Sequence, residues 1–435
     1  MQALMLENQA PGNSLERLLA ALEPKAASIL DKALLGGDIT ADEGEALFAT
    51  SGLEMSAVVM VADELRRRRV GDVVTYVVNR NINFTNVCIK RCGFCAFSRD
   101  HRAEEGYFIP VGEIVRRARE AWDLGATEVC IQAGLPPQMK GDLYIKLCEA
   151  VKAELPDIHV HGFSPEEVLY GSIRSRCTIR EYLQALQQAG VGSLPGTSAE
   201  ILDQEMRDRI SPGRITVDQW TEVITTAHEL GIPTTSTIMY GHTETDGHKA
   251  RHIALIRDIQ KATGGFTEFV PLGFIHTEAP MYGHKLVDGV REGPTGTETV
   301  KVHAISRIML NNWVPNLQVS WVKEGLKFGQ YMLAAGVNDM GGTLINESIS
   351  TAAGAQHGQL VRPRELRHAI RDAGRTPAER HTTYDHLRVF NGDDDPEDPL
   401  DLLEGDLEER FGSYHRMVKM EGFRFQHPKT LTPSS

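Results

Sequence analysis

Residues 72–97 read "DVVTYVVNRNINFTNVCIKRCGFCAF", and the reading of this stretch decides the rest. It opens as an apolar, β-branched run that predicts a strand. It ends in three cysteines, Cys88, Cys92 and Cys95, set among basic and aromatic residues. Thiols delivered at the end of a strand raise one question: does this loop hold a fold together, or does it carry chemistry?

Working outward, the same strand–turn–helix pattern returns. "ATEVCIQAG" (126–134), "DIHVHGF" (157–163), "VGSLPG" (191–196), "IPTTSTIMYG" (232–241), "FTEFVPLGFIH" (266–276) and "LQVSWV" (317–322) are each followed by an amphipathic helical stretch. After "DIHVHGF", Ser164, Pro165 and Glu167 form a capping-box start. Sustained βα alternation predicts an α/β fold, a parallel sheet covered by helices. Six or more units with right-handed crossovers close most economically as a full or partial TIM-type (βα) barrel. An open doubly wound sheet is the competitor, but no glycine-rich phosphate fingerprint follows the first strand. The expected division is a helical segment over 1–70, the barrel over 71–345, a helical C-terminal cap over 346–390, and an acidic linker with a partly disordered tail over 391–435. That last assignment rests on "NGDDDPEDPLD" and "HPKTLTPSS".

At 435 residues and 41% hydrophobic, the chain has ample core. Its net charge of −13 argues against nucleic acid or an anionic membrane as the main partner. The run Arg66 to Arg69 reads as the basic last turn of a helix. The first residues lack the charged and apolar regions of a secretory signal, and no apolar run reaches bilayer length, so the expected location is the cytoplasm. Six cysteines are too few for a disulfide scaffold. Cys130, Cys148 and Cys177 are scattered and read as small buried hydrophobes or bystanders.

The clustered cysteines are spaced C-x3-C-x2-C. A closed zinc site needs a fourth ligand, which His101 or something remote has to supply. A thioredoxin-like pair leaves Cys88 unexplained. A 4Fe–4S cluster held by three thiolates keeps one iron open to an exogenous amino acid. At this point the stretch resembles the radical S-adenosylmethionine (SAM) superfamily, with Phe94 as the aromatic before the last cysteine. The resemblance implies one 4Fe–4S cluster on Cys88, Cys92 and Cys95, with SAM bound to the open iron and cleaved to a 5′-deoxyadenosyl radical.

It also implies where SAM sits. "IQAGLPP", with Gln132 and Gly134, stands where the superfamily places a glycine-rich turn, although the superfamily's acidic residue is absent. Ser198 and Glu200 meet ribose hydroxyls or the methionine amine, or Glu200 is an ordinary helix-terminus acid. Arg214 pairs with the methionine carboxylate or belongs to the loop surface. Backbone around Ile238 packs adenine, while His242 and Glu244 face the cavity. His161, Glu268 and His276 are further strand-end candidates, with solvated rim or satisfied core as the alternative.

The resemblance narrows further over residues 10–390. The quoted strands together with "GVNDMGGTLINESISTAAGAQHG" and "GRTPAERHTTYD" are similar to the family of 5-amino-6-(D-ribitylamino)uracil–L-tyrosine 4-hydroxyphenyl transferases, the second subunit of FO synthase. FO is 7,8-didemethyl-8-hydroxy-5-deazariboflavin. Menaquinone-pathway radical enzymes, of the aminofutalosine synthase or dehypoxanthine futalosine cyclase type, are the near alternative. A non-catalytic iron–sulfur or zinc protein is the remote one. The family implies L-tyrosine and the ribitylaminouracil as substrates, a ring-closing second subunit and an electron donor as partners. It also implies substrate contacts from Asn83, Thr85, His161, His276, Asp339 and Glu347, with His242, Glu268 and Asn338 in catalytic positions. The Asn338–Gly342 run is also a tight turn by composition.

Overall fold

Parallel backbone pairs edge to edge into a closed ring. The computed structural model describes residues 11–392 and 395–427. The ring begins with β1 (Val73–Val77) and β2 (Asn79–Ile82), two halves of one strand, and continues through β3 (Glu128–Ile131), β4 (His159–Gly162) and β5 (Val191–Ser193). A bridge from Leu194 to Thr234 leads to β6 (Thr234–Tyr240) and β7 (Phe266–Gly273). Phe269 then pairs with Leu317, and Gln318 with Asp339 at the start of β8 (Asp339–Gly342). Thr75 pairs with Asp339 and Arg80 with Ile345, so the last strand meets the first and the ring closes. The barrel is full, and the segment 317–319 supplies its seventh position.

The ring's strands alternate as short parallel strands must. Thr235, Thr237 and Met239 of β6 border the interior, whereas Ile238 and Tyr240 are buried away from it. Helices cover the outside. Several start with a capping box, among them Pro165–Ser175 on Ser164 and Glu167, and Val217–Glu229 on Thr216 and Gln219. The leader helices form a second layer: Ala41–Phe48 packs on Asp246–Thr263, and Gly52–Val70 on Gly296–Leu310. Within that leader, Arg66 is fully buried and bonded to Asp63, while Arg67 and Arg68 share Glu64 at the surface.

The segment expected to be a helical cap is only partly helical. After helix Pro363–Asp372 it forms β9 (Thr376–Arg380), parallel to β1, and β10 (His386–Val389), antiparallel to β9. The connection between them plugs the base of the barrel. Arg380 bonds Asp339 through Nε (2.6 Å) and Nη2 (3.1 Å), and Thr382 donates to Glu128 (2.7 Å).

The acidic stretch is no free linker either. Asp395, Asp398 and Asp401 all pair with the buried guanidinium of Arg367. Beyond them the chain straps across the cysteine loop: Tyr414 packs on Phe97 at 5.5 Å, and Phe425 N–H donates to Gly106. The final "KTLTPSS" lies outside the described residues. No described helix is long and apolar enough to cross a membrane.

Candidate active site

The cysteine loop leaves the barrel mouth after β2 and is fixed by its own backbone. Cys88 N–H donates to Arg99 (3.0 Å), Ile89 N–H to Leu135 (2.9 Å), Gly93 N–H to Ile210 (2.8 Å), and Met281 N–H to Gly93 (2.7 Å). Asn86 and Thr85 tie the loop's return: Asn86 Oδ1 accepts from Tyr107 N–H (2.9 Å) and Thr85 Oγ1 donates to Tyr107 (2.6 Å). Cys88, Cys92 and Cys95 are free thiols on the wall of one cavity of about 260 Å³. Burial pushes the Cys92 thiol up to about 12 and raises that of Cys88, while Arg214 pulls both down. Among the described residues no three His, Cys, Asp or Glu side chains converge on one point. A mononuclear zinc ion needs such a point. A 4Fe–4S cluster spreads its thiolates over separate irons and does not.

Around this cavity the mouth loops bring together Phe94, Gln132, Gly134, Ser198, Glu200 and Arg214. Arg214 is the hub. Its Nη1 lies 2.9 Å from Cys92 Sγ, its Nη2 donates to Ser198 Oγ (2.9 Å) and lies 3.2 Å from Glu200, and its guanidinium stacks over Phe94 at 5.4 Å. Burial opposes its charge, but Cys92, Glu200 and Glu166 hold its pKa well above the ordinary value. Ser198 and Glu200 both have left-handed backbone, φ +64 and +39, a strain that packed sites can sustain. Gly134 is needed for close approach: a Cβ there would lie 2.4 Å from the Val87 carbonyl oxygen, inside the cysteine loop. Acids (Glu166, Glu167, Glu200) and bases (Lys90, Arg214) line the same cavity, with Lys90 paired to Glu166 (3.0 Å) and Arg214 to Glu200 (3.2 Å), a mixed donor set suited to a zwitterion that also carries a sulfonium.

Below it, within the ring, is a second chamber of about 250 Å³ that shares Gln132, Thr197, Thr237, Leu272, Lys323 and Ile349 with the first. Its walls are largely apolar, with polar groups set among them. Asn81 Oδ1 and Asn83 Oδ1 are buried without a protein partner, which leaves two acceptors for a bound molecule. His161 shares the Ser193 hydroxyl with His159, each at 2.7 Å, and burial lowers its pKa to about 4, so the ring is neutral. Glu128, Glu268 and Arg380 form the floor. Glu268 is bonded to the Tyr384 hydroxyl, and burial raises its pKa against the pull of Arg380.

Several expected positions fall elsewhere. Thr85 is spent on the loop backbone and does not border either chamber. His242 is fully buried outside the cavity, bonded to Thr243 (3.1 Å) and the Met239 carbonyl (3.2 Å). Glu244 accepts from Gly241 and His242 N–H and pairs with Arg291, closing a turn outside the two chambers. Ile238 was expected to act through its backbone, and its neighbours Thr237 and Met239 line the mouth while its own side chain is buried on the other face of the strand. His276 lies beside Tyr282 (4.7 Å), off the cavity wall. Asn338 and Asp339 stand where β8 begins, not where it ends. Asn338 is held by Arg307 (2.7 Å) and Leu317 N–H (2.9 Å), and Asp339 by Arg380. Glu268 likewise sits near the start of β7, at the floor. Glu347 borders the lower chamber from the loop before helix Ile349–Ala352, not from a helix behind.

Sequence reasoning missed Lys323, Glu166 and Glu167. Lys323 is a lone cation just after the seventh strand position, a signal available in "LQVSWVK". Glu167 was absorbed by its capping role, which the structure shows together with an acceptor bond from Ala133 N–H (2.9 Å). Burial raises its pKa to about 7.

The comparisons with known proteins agree with this geometry. Residues 82–256 match the radical SAM superfamily, and residues 263–392 the CofH/MqnC C-terminal region. The chain is 46% identical over 363 residues to the 5-amino-6-(D-ribitylamino)uracil–L-tyrosine 4-hydroxyphenyl transferase of Methanothermobacter thermautotrophicus, covering 83% of this chain and 98% of that one. It is 47% identical over 339 residues to FO synthase of Mycobacterium tuberculosis, covering 78% of this chain and 39% of that protein. Two solved structures share the fold at low identity. The hydrogenase maturase HydG of Carboxydothermus hydrogenoformans has a TM-score of 0.64 at 15% identity, covering 86% of this chain and 83% of its own. Methylornithine synthase (PylB) has 0.63 at 17%, covering 80% and 97%. The chain belongs to the radical SAM superfamily and, within it, to the 5-amino-6-(D-ribitylamino)uracil–L-tyrosine 4-hydroxyphenyl transferase family.

Proposed function

We propose that this enzyme cleaves L-tyrosine between Cα and Cβ and joins the 4-hydroxybenzyl group to C5 of 5-amino-6-(D-ribitylamino)uracil, a step toward the deazaflavin FO. The observation that carries the reading is 46% identity to a transferase of that name over 98% of its length. The two connected chambers support it. The upper one holds the thiols and the Arg214 hub, and the lower one offers the converging polar groups that a polyhydroxylated pyrimidine needs.

Cys88, Cys92 and Cys95 hold one 4Fe–4S cluster in this reading. Arg214, Ser198, Glu200, Gln132 and the Gly134 turn hold SAM beside it. When bound, the pair supplies a 5′-deoxyadenosyl radical. The chain's own work is to orient the substrates and exclude water. Asn81 and Asn83 offer acceptors to donor groups of the aminouracil, and neutral His161, with Ser193, adds a further polar contact. The strap that packs on Phe97 covers the cysteine loop.

A one-electron donor reaches the cluster from the outer side of the loop, where a groove of about 820 Å³ is lined by Ile89, Arg91 and His101. The ring-closing half of FO formation needs a second catalytic unit. The match to mycobacterial FO synthase takes up only 39% of that protein, which leaves length for such a unit there. Six free thiols suit the reducing cytoplasm as the place of work.

The test is an anaerobic reaction of the reconstituted enzyme with dithionite, SAM, L-tyrosine and the aminouracil, read by mass spectrometry. The expected products are 5′-deoxyadenosine and an aminouracil adduct heavier by one hydroxybenzyl group, both lost in Cys92→Ala. Deoxyadenosine without adduct overturns the assigned substrates.

A further inference from the structure

Lys323 lies in the short helix Trp321–Glu324, which follows the seventh position of the ring, and its side chain borders both chambers. It is the cation at their junction. The other cations on these walls are spoken for: Lys90 pairs with Glu166 (3.0 Å), Arg214 serves Cys92, Ser198 and Glu200, and Arg380 pairs with Asp339. The Lys323 backbone N–H donates to the Ser320 carbonyl (3.0 Å), but among the described residues its ammonium makes no hydrogen bond or ion pair, and the nearby charges of Glu347, Glu324 and Cys95 act on it at longer range. Its partial exposure is to the cavity. An ammonium enclosed in this way, without a partner, is costly unless a ligand brings an anion.

Glu347 faces the same lower chamber. It is 5% exposed, and its carboxylate accepts from the Ser350 N–H (2.9 and 3.1 Å) and interacts with the neighbouring Ile349 and Thr351 N–H groups of the same short helix, while among the described residues no cation forms an ion pair with it. Burial raises its pKa and lowers that of Lys323, as two opposite charges held apart in an enclosed space require. A cation and an anion that face one void without meeting form the complement of a zwitterion.

Of the molecules in the proposed reaction, the aminouracil carries no carboxylate, and the carboxylate of SAM has Arg214. We infer that Lys323 and Glu347 are the clamp for the α-amino acid substrate, Lys323 binding its carboxylate and Glu347 its ammonium. The clamp rests on the reading of L-tyrosine as substrate. Its position at the junction holds the amino acid head between the thiol-lined chamber and the lower chamber, where a group released from it meets the second substrate.

The test is equilibrium binding to the cluster-reconstituted, SAM-loaded full chain, with three probes: L-tyrosine, tyramine, which lacks the carboxylate, and 3-(4-hydroxyphenyl)propionate, which lacks the amine. Wild type is expected to bind L-tyrosine about ten-fold or more tighter than either analogue, the scale of one charge-assisted contact. Lys323→Met is expected to weaken L-tyrosine and the propionate by that factor and leave tyramine unchanged, with iron content retained. Lys323→Arg keeps the preference. Glu347→Gln is expected to weaken L-tyrosine and tyramine and leave the propionate unchanged.

Equal binding of tyramine and L-tyrosine by wild type overturns the clamp without need of any variant. So does a Lys323→Met protein that loses all three probes alike. No binding of L-tyrosine by wild type, in any loading state, overturns the proposed function instead.

Discussion

Arg214 Nη1 lies 2.9 Å from Cys92 Sγ, and the same guanidinium reaches Ser198 and Glu200. One side chain therefore links the Cys92 thiol to the loop after β5, and its planar fork is what allows both contacts at once. Arg214→Lys keeps the charge and loses the fork. Its expected effect is retained iron with SAM affinity weakened about ten-fold or more, the scale of a lost charged hydrogen bond. Equilibrium dialysis against labelled SAM checks this, and unchanged affinity contradicts the role given to Arg214.

Gly134 is pressed against the cysteine loop. A Cβ would meet the Val87 oxygen at 2.4 Å and its carbonyl carbon at 2.8 Å, backbone that cannot swing aside. Gly134→Ala is expected to cost about 1–3 kcal/mol by overpacking. Because the displaced atoms belong to the loop of Cys88, iron per chain falls as well. Full iron loading at unchanged urea midpoint refutes this.

At the opposite end of the barrel, Arg380 holds Asp339 and lies 3.6 Å from Glu268. Removing it leaves buried carboxylates uncompensated. Arg380→Met is expected to destabilise by about 3–5 kcal/mol, and Arg380→Met with Asp339→Asn to recover part of that loss. Denaturant midpoints of the two variants decide it, and equal midpoints for the single and the double variant contradict the coupling.

His228 lies in the outer layer, bonded to Thr263 (2.7 Å) and Thr234 (2.9 Å), and burial lowers its pKa to about 4. Between the unfolded value near 6.5 and the folded value near 4, the unfolded chain binds the extra proton. Stability is therefore full above about 6.5 and is lost as pH falls toward 4. His228→Gln removes that contribution, so the gap between wild type and variant shrinks on acidification by on the order of 2 kcal/mol. Denaturation curves at pH 7 and pH 4.5 give the comparison.

The ring was legible because its signal is local and repeated: a β-branched run, a turn and a capped helix, from Val73 onward. The cysteine loop was legible from its spacing together with its place after the first strand and its resemblance to the radical SAM motif, and the superfamily match over residues 82–256 agrees. Strand polarity at single residues was not. Glu268 and Asp339 were expected at the mouth, yet each stands near the beginning of its strand, because polar residues flank an apolar run at both ends. His242 follows the end of β6 but turns back onto the Met239 carbonyl, a choice made by backbone geometry that no pattern encodes. The acidic run looked like a linker because its partner, Arg367, lies far upstream in the chain. Lys323 was overlooked for the opposite reason: one lysine beside Glu324 at the end of an apolar run carries no pattern, and its meaning comes from the cavity it borders.

The most direct measurement follows the carbon atoms of tyrosine. The enzyme is run with L-tyrosine labelled in the ring, and separately with label at the carboxyl and Cα carbons. The account predicts that ring label appears in the aminouracil adduct, while backbone label is absent from it and leaves in the glycine-derived fragment. Backbone label in the adduct, or ring label recovered only as unchanged tyrosine while deoxyadenosine accumulates, contradicts Cα–Cβ cleavage and transfer as the reaction of this enzyme.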